Sequence, residues 1–127
     1  ARMILTTSTA KSKIARGEIW LVNFDPQEGQ EIRKIRPAVV MNIAAVGRLQ
    51  LQIVVPITSW QQKFVQDFWM VKLIPTPSNG LANESAADVF QVKSLSVNRF
   101  VNKLGVLPPA QLDDIAATIA LVVGYNP

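Results

Sequence analysis

Two side chains stand where a proline restrains the backbone beneath them: Arg36 before Pro37, and Thr58 just after Pro56. An arginine offers a planar fork of N–H donors that fits a phosphate two bonds at a time. A threonine hydroxyl can donate to a phosphate oxygen. Arg33 and Lys34 add cations beside Arg36, and Glu31 adds a carboxylate with a usable pKa for proton transfer. Such a set could bind and polarise a phosphate ester. Each residue also has a plainer reading: a surface arginine at a strand start, a turn threonine, charges in the solvated run Glu31-Ile32-Arg33-Lys34.

Composition narrows the chemistry. The 127 residues include no cysteine and no histidine. Disulfides, thiolate metal sites and cysteine nucleophiles are excluded, and so is the usual acid–base group at neutral pH. Carboxylates, lysine, arginine, tyrosine and hydroxyls remain, and neither a metal nor a cofactor is expected. Thirteen Lys and Arg against nine Asp and Glu give a formal charge of +4. That excess favours a polyanionic partner, or serves solubility alone. Hydrophobic residues make up 49% of the chain, enough for a core with apolar surface left for a partner or twin subunit.

The elements that must position these residues are short. Glu18–Phe24 is a β-rich run ended by Asp25-Pro26. A polar loop spans Gln27–Arg36, and Pro37 opens a second apolar run. Arg48–Val55 alternates, with Leu49, Leu51, Ile53 and Val55 on one face and Gln50 and Gln52 on the other. Pro56 is expected to close this strand, with Ile57-Thr58-Ser59 leading into a loop. Continued alternation puts Thr58 on the glutamine face, away from the core.

Further strands are expected over Asp67–Ile74 and Asp88–Val92, and a short helical turn over Lys93–Phe100. A little strand is expected at Leu104–Leu107. Pro108-Pro109 starts a helix with one apolar face that Gly124 ends. Residues 1–14 are expected to form a flexible arm and 15–127 a single domain. No apolar run approaches a membrane span, and no secretory signal is present, so a cytoplasmic protein is expected.

Four blocks, taken in order, resemble the MazF/PemK toxins. They are Gly17-Glu18-Ile19-Trp20-Leu21-Val22-Asn23-Phe24-Asp25-Pro26, then Gly29 and Glu31 with Arg36-Pro37-Ala38-Val39-Val40, then Val55-Pro56-Ile57-Thr58-Ser59, then Gln91-Val92-Lys93-Ser94. The resemblance implies a mostly β fold, an SH3-like small β-barrel with a C-terminal helix, usually a homodimer. It implies cleavage of single-stranded RNA at short sequence motifs and neutralisation by a small acidic antitoxin that covers the RNA groove. It makes Arg36 and Thr58 the catalytic pair, with Glu31 as the alternative base. Arg33, Lys34, Ser59, Trp60, Lys63 and Gln91 become RNA-binding candidates.

The chemistry suits these residues, because RNA carries its own nucleophile in the 2′-hydroxyl and positioning and electrostatics can supply most of the rest. An arginine is a poor base, since its pKa lies far above neutral. Trp60 and Phe64 flank Lys63 and could stack on bases, or be buried in a core or dimer contact. Gln91 could read a base edge, or be an ordinary polar strand residue. Phe90 precedes it where many of these toxins carry Asp.

Two other readings compete. A toxin of the same fold that poisons DNA gyrase relies on a C-terminal Trp-Gly-Ile, whereas this chain ends Val123-Gly124-Tyr125-Asn126-Pro127. A non-catalytic SH3-like nucleic-acid-binding module would lack the four blocks.

Overall fold

In the computed structural model, residues 13–24, 35–44 and 50–126 are described. Seven strands and one helix are found among them. These are β1 (Glu18–Asn23), β2 (Ile35–Val40), β3 (Leu51–Ser59), β4 (Met70–Leu73), β5 (Ser85–Asp88), β6 (Lys93–Ser96), β7 (Phe100–Val106) and α1 (Pro109–Val122). The strands pair antiparallel in the order β4-β5-β3-β2-β1-β7, with β6 on the outer half of β3. The fold is therefore mostly β with a C-terminal helix, as expected. The pairing path stays open at β4 and β7 and does not close into a ring.

Both faces of the sheet are apolar, and each buries against something different. On one face Ile19, Val39, Val55 and Ile57 meet Leu73, Ala87 and Val89, with Leu112 and Ile115 of α1. On the other, Trp20, Val22, Ala38, Val40 and Val54 surround Phe100. The Trp20 and Phe100 rings meet edge-on at 5.7 Å, a favoured aromatic geometry. Alternation along β1 sends Ile19 to the first core and Trp20 and Val22 to the second. Both faces of β1 are thus covered within one chain. Of the expected arm, Lys13 and Ile14 are described, and Ile14 packs on the second core.

Several sequence expectations are corrected by the pairing. Pro56 does not end its strand, because β3 changes partner there. Residues 54–56 pair with β2 and 57–59 with β5, so a residue without an N–H sits at the changeover. The expected faces of β3 are also reversed in its first half. Gln52 is 8% exposed, while Leu51 and Ile53 are each 43% exposed. β2 begins at Ile35, two residues before Pro37, which places Arg36 inside a strand. β5 lies at 85–88, not 88–92, because Val89–Gln91 turn as a 3-10 helix. The 93–100 segment is strand β6 followed by a single 3-10 turn at Val97–Arg99. The helix follows the sequence closely: Pro109 occupies its first turn, and Gly124 terminates it at φ +87°.

Glu18 fastens β1 to β7. Its Oε1 accepts from the Ala15 backbone N–H and the Trp20 indole, each at 3.0 Å, and its Oε2 pairs with Lys103 at 3.1 Å. Burial works to raise the carboxyl's pKa, but the hydrogen bonds from Trp20, Ala15 and Lys103 outweigh it and hold it below the ordinary value of 4.5. A lowered pKa contributes stability above pH 4.5 and loses it as pH falls through the folded value. Glu18→Gln is expected to cost about 1 kcal/mol at pH 7. In urea melts the deficit should shrink steadily as pH drops below 4.5; a deficit independent of pH would contradict this origin.

Candidate active site

The ladder between β2 and β3 pairs Ala38 with Pro56, Val39 with Val55 and Val40 with Val54. Carried two residues further, that register sets Arg36 opposite Thr58. The ladder itself stops at Ala38, and β3 turns to β5, with Thr58 opposite Ala86. The side chains then bridge the gap, and Arg36 Nη1 donates to Thr58 Oγ1 at 3.3 Å. Thr58 accepts in this bond, so its own O–H proton is left for another acceptor. The remaining guanidinium N–H groups carry no partner among the described residues. Thr58 is half-buried, and its presence at the site comes from the β3–β5 switch, not from a shared face with Gln52, which is buried.

Arg36, Ile57 and Thr58 form a common wall between two open clefts. One, of about 290 Å³, is bordered by Ser59, Asn83 and Ser85 on the polar side. The other, of about 390 Å³, holds Gln91, Asp88 and Lys93 beside Phe24 and Phe64. Both clefts are lined by strand ends and turns, where side chains are rigidly based but accessible.

The first cleft depends on the 75–83 loop, which a buried asparagine organises. Asn79 is fully buried; its Oδ1 accepts from the backbone N–H groups of Thr76 and Leu81, and its Nδ2 donates to the Ile74 carbonyl at 2.9 Å. Gly80 and Gly105 bring this loop and β7 into backbone contact, since a Cβ on either would collide with the other segment. Asn79→Ala would leave these three backbone groups, one of them buried, without their partner. It is expected to cost about 3 kcal/mol in chemical denaturation. A loss under 1 kcal/mol would show that water satisfies the loop instead.

The structure gathers four of the anticipated residues, Arg36, Thr58, Ser59 and Gln91, around these clefts. Trp60 and Lys63 stand aside. Trp60 packs edge-on against buried Phe64 at 5.6 Å, with Lys72 over its ring at 4.9 Å. Lys63 lies over the Phe64 ring at 6.0 Å. Neither borders a cleft. Glu31, Arg33 and Lys34 lie outside the described residues. Phe90 is exposed and leans on Trp69, away from the Gln91 cleft.

Sequence reasoning missed Asp88 and Lys93. Lys93 was visible in the block after Gln91, and its ammonium lies 5.5 Å from the Phe24 ring. Asp88 had a fainter signal, a lone acidic residue in the otherwise uncharged run from Ser85 to Val92. Burial pushes its carboxyl above the ordinary value of 3.8, against a lowering hydrogen bond from the Phe90 backbone. Among the described residues, no three His, Cys, Asp or Glu side chains group to hold a metal ion. No helix there is long and apolar enough to cross a membrane.

Known proteins resemble this chain in both fold and sequence. Residues 15–123 match the family described as PemK-like, MazF-like toxin of type II toxin-antitoxin system. The endoribonuclease MazF9 of Mycobacterium tuberculosis is 33% identical over 112 residues, covering 84% of this chain and 92% of that protein. The endoribonuclease PemK of Escherichia coli is 48% identical over 50 residues, 39% of this chain and 38% of that one. Among solved structures, a MazE-MazF crystal form from Deinococcus radiodurans superposes with a TM-score of 0.71 at 24% identity, covering 89% of this chain and 97% of that one. The Mycobacterium tuberculosis toxin MazF-mt6 gives 0.69 at 20% identity, covering 87% and 99%. At those identities the superpositions speak for the fold, while the family match runs through β1, Arg36, Thr58 and Gln91 alike. By sequence and architecture together, the chain belongs to the PemK-like, MazF-like toxins of type II toxin–antitoxin systems.

Proposed function

We propose that this toxin is a sequence-specific endoribonuclease that cleaves single-stranded RNA without a metal ion, the substrate's own 2′-hydroxyl providing the attack. The observation that carries this reading is the Arg36–Thr58 hydrogen bond at the wall between two clefts. Arg36 neutralises charge on the phosphorane, and Thr58 donates its free hydroxyl to a phosphate oxygen. Gln91 and Ser59, one in each cleft, contact the flanking nucleotides in this reading. Arg33, Lys34, Trp60 and Lys63 extend the RNA path, with Glu31 one candidate for the base. The products are a 2′,3′-cyclic phosphate and a 5′-hydroxyl.

The test is incubation of pure protein with labelled single-stranded RNA in EDTA. Cleavage is expected. A requirement for magnesium would overturn the mechanism, and intact RNA beside inhibited DNA gyrase would overturn the function.

Residues 15–127 act as one cytoplasmic domain whose basic groove is covered by an acidic antitoxin. A homodimer is part of the same reading. Its support is the exposed apolar residues, Ile43, Val65, Phe68, Phe90 and Val123 among them, since β1 is fully used within the chain. A single-chain mass in sedimentation at micromolar concentration would contradict it.

A further inference from the structure

The Gln91 cleft contains a carboxyl that the phosphate-gripping pair leaves unused. Asp88 is the last residue of β5, paired with Met70 of β4, and it lines the same cleft as Arg36, Thr58 and Gln91. Its Oδ1 is shielded from solvent and meets no hydrogen-bond donor among the described residues. A buried carboxylate oxygen without a donor is costly to a fold. A charge placed at such cost, on the wall of a cleft, is what a proton-transfer group requires.

The groups around it set its behaviour. Among the described residues, Arg36 from β2 and Lys93 from β6 are the charged ones that line the cleft with it. Phe64, Met70 of β4 and Gln91 of the 3-10 turn present apolar or neutral surface. Burial in this company makes the carboxylate a stronger base than an exposed aspartate, against the lowering hydrogen bond from the Phe90 backbone.

We propose that Asp88 accepts the proton of the attacking ribose 2′-hydroxyl at the linkage held by Arg36 and Thr58. This rests on the endoribonuclease reading above and assigns the base within it. The O2′–H proton passes to an Asp88 carboxylate oxygen as the O2′ electron pair forms the O2′–P bond. The P–O5′ bond breaks with its electron pair on O5′, which takes a proton from water. The hydroxide so formed removes the proton from Asp88. Nothing is oxidised or reduced, and Arg36 stays protonated throughout.

The experiment measures single-turnover cleavage from pH 4 to 9 for wild type, Asp88→Asn, Asp88→Glu and Arg36→Ala, with melting curves for each. At pH 7 Asp88→Asn is expected to cleave about a hundredfold more slowly. Its rate should approach that of the wild type as pH falls through the raised pKa of the wild-type carboxyl. Asp88→Glu should recover part of the rate. A raised carboxyl pKa contributes stability below 3.8 and loses it as pH rises through the folded value. At pH 7, Asp88→Asn should therefore melt no lower than wild type.

An Asp88→Asn enzyme with wild-type rate and pH dependence, beside an inactive Arg36→Ala, would overturn this assignment and leave the endoribonuclease reading standing. So would a loss equal at every pH with no recovery in Asp88→Glu. Should neither Asp88 variant fold, the wild-type profile decides: a rate flat between pH 4 and 7 overturns the assignment. A wild type that leaves RNA intact would overturn the function itself.

Discussion

Arg36→Ala is expected to slow cleavage of single-stranded RNA about a thousandfold, the cost of removing a donor aimed at developing charge. The guanidinium reaches the site from the first residues of β2, braced by Pro37 and tied to Thr58 at 3.3 Å. Its remaining N–H groups are what a phosphorane would meet. Loss should fall mainly on the chemical step, because the interaction strengthens as charge builds on the phosphate oxygens. Arg36→Lys should recover little, since an ammonium cannot reproduce two parallel bonds from a planar fork. Single-turnover rates at saturating protein check this. A loss confined to binding, with the chemical rate intact, would make Arg36 an ordinary phosphate contact.

A second expected result concerns the substrate. A strand carrying a single 2′-deoxyribose at the scissile position should remain uncut, a loss above about 10⁴-fold, because the internal nucleophile supplies much of the rate through proximity. Binding of that strand should be nearly unchanged, since its phosphates and bases are all present. Cleavage of it, leaving a 3′-phosphate, would mean that water or a protein group attacks instead.

The legible parts of this fold were those where local chemistry and long-range pairing agree. α1 showed itself through Pro109, its apolar face and Gly124, all of which act within a few residues. β1 followed from its β-rich run and the core face of β4 from alternation, with Leu73 buried and Trp69 and Val71 packed on the same core. The β3 strand misled because its partner changes at Pro56, and no local signal marks a change of partner. Its first half also runs beside β6, so Gln52 turns inward and Leu51 and Ile53 outward. β5 was placed three residues late because Ser85, Ala86 and Ala87 carry little β preference, whereas Val89 and Val92 carry much.

The site divides along the same line. Arg36 and Thr58 stood out because each lies within two residues of a proline in a resembling block. Their meeting depends on a register that sequence alone does not state. Asp88 escaped notice because its importance lies in burial and in the cleft it borders, neither of which is written in the run Ser85-Ala86-Ala87-Asp88. Functional groups of this kind oppose the local pattern, which is why they are read from structure first.

The most direct measurement is a double-mutant cycle on Arg36→Ala and Thr58→Val, read as the single-turnover rate on one defined RNA. If the two side chains hold one phosphate, Thr58→Val alone costs about thirtyfold, yet adds little once Arg36 is gone, giving a coupling above about 1 kcal/mol. Losses that simply multiply would place the guanidinium and the hydroxyl on separate tasks and contradict the account.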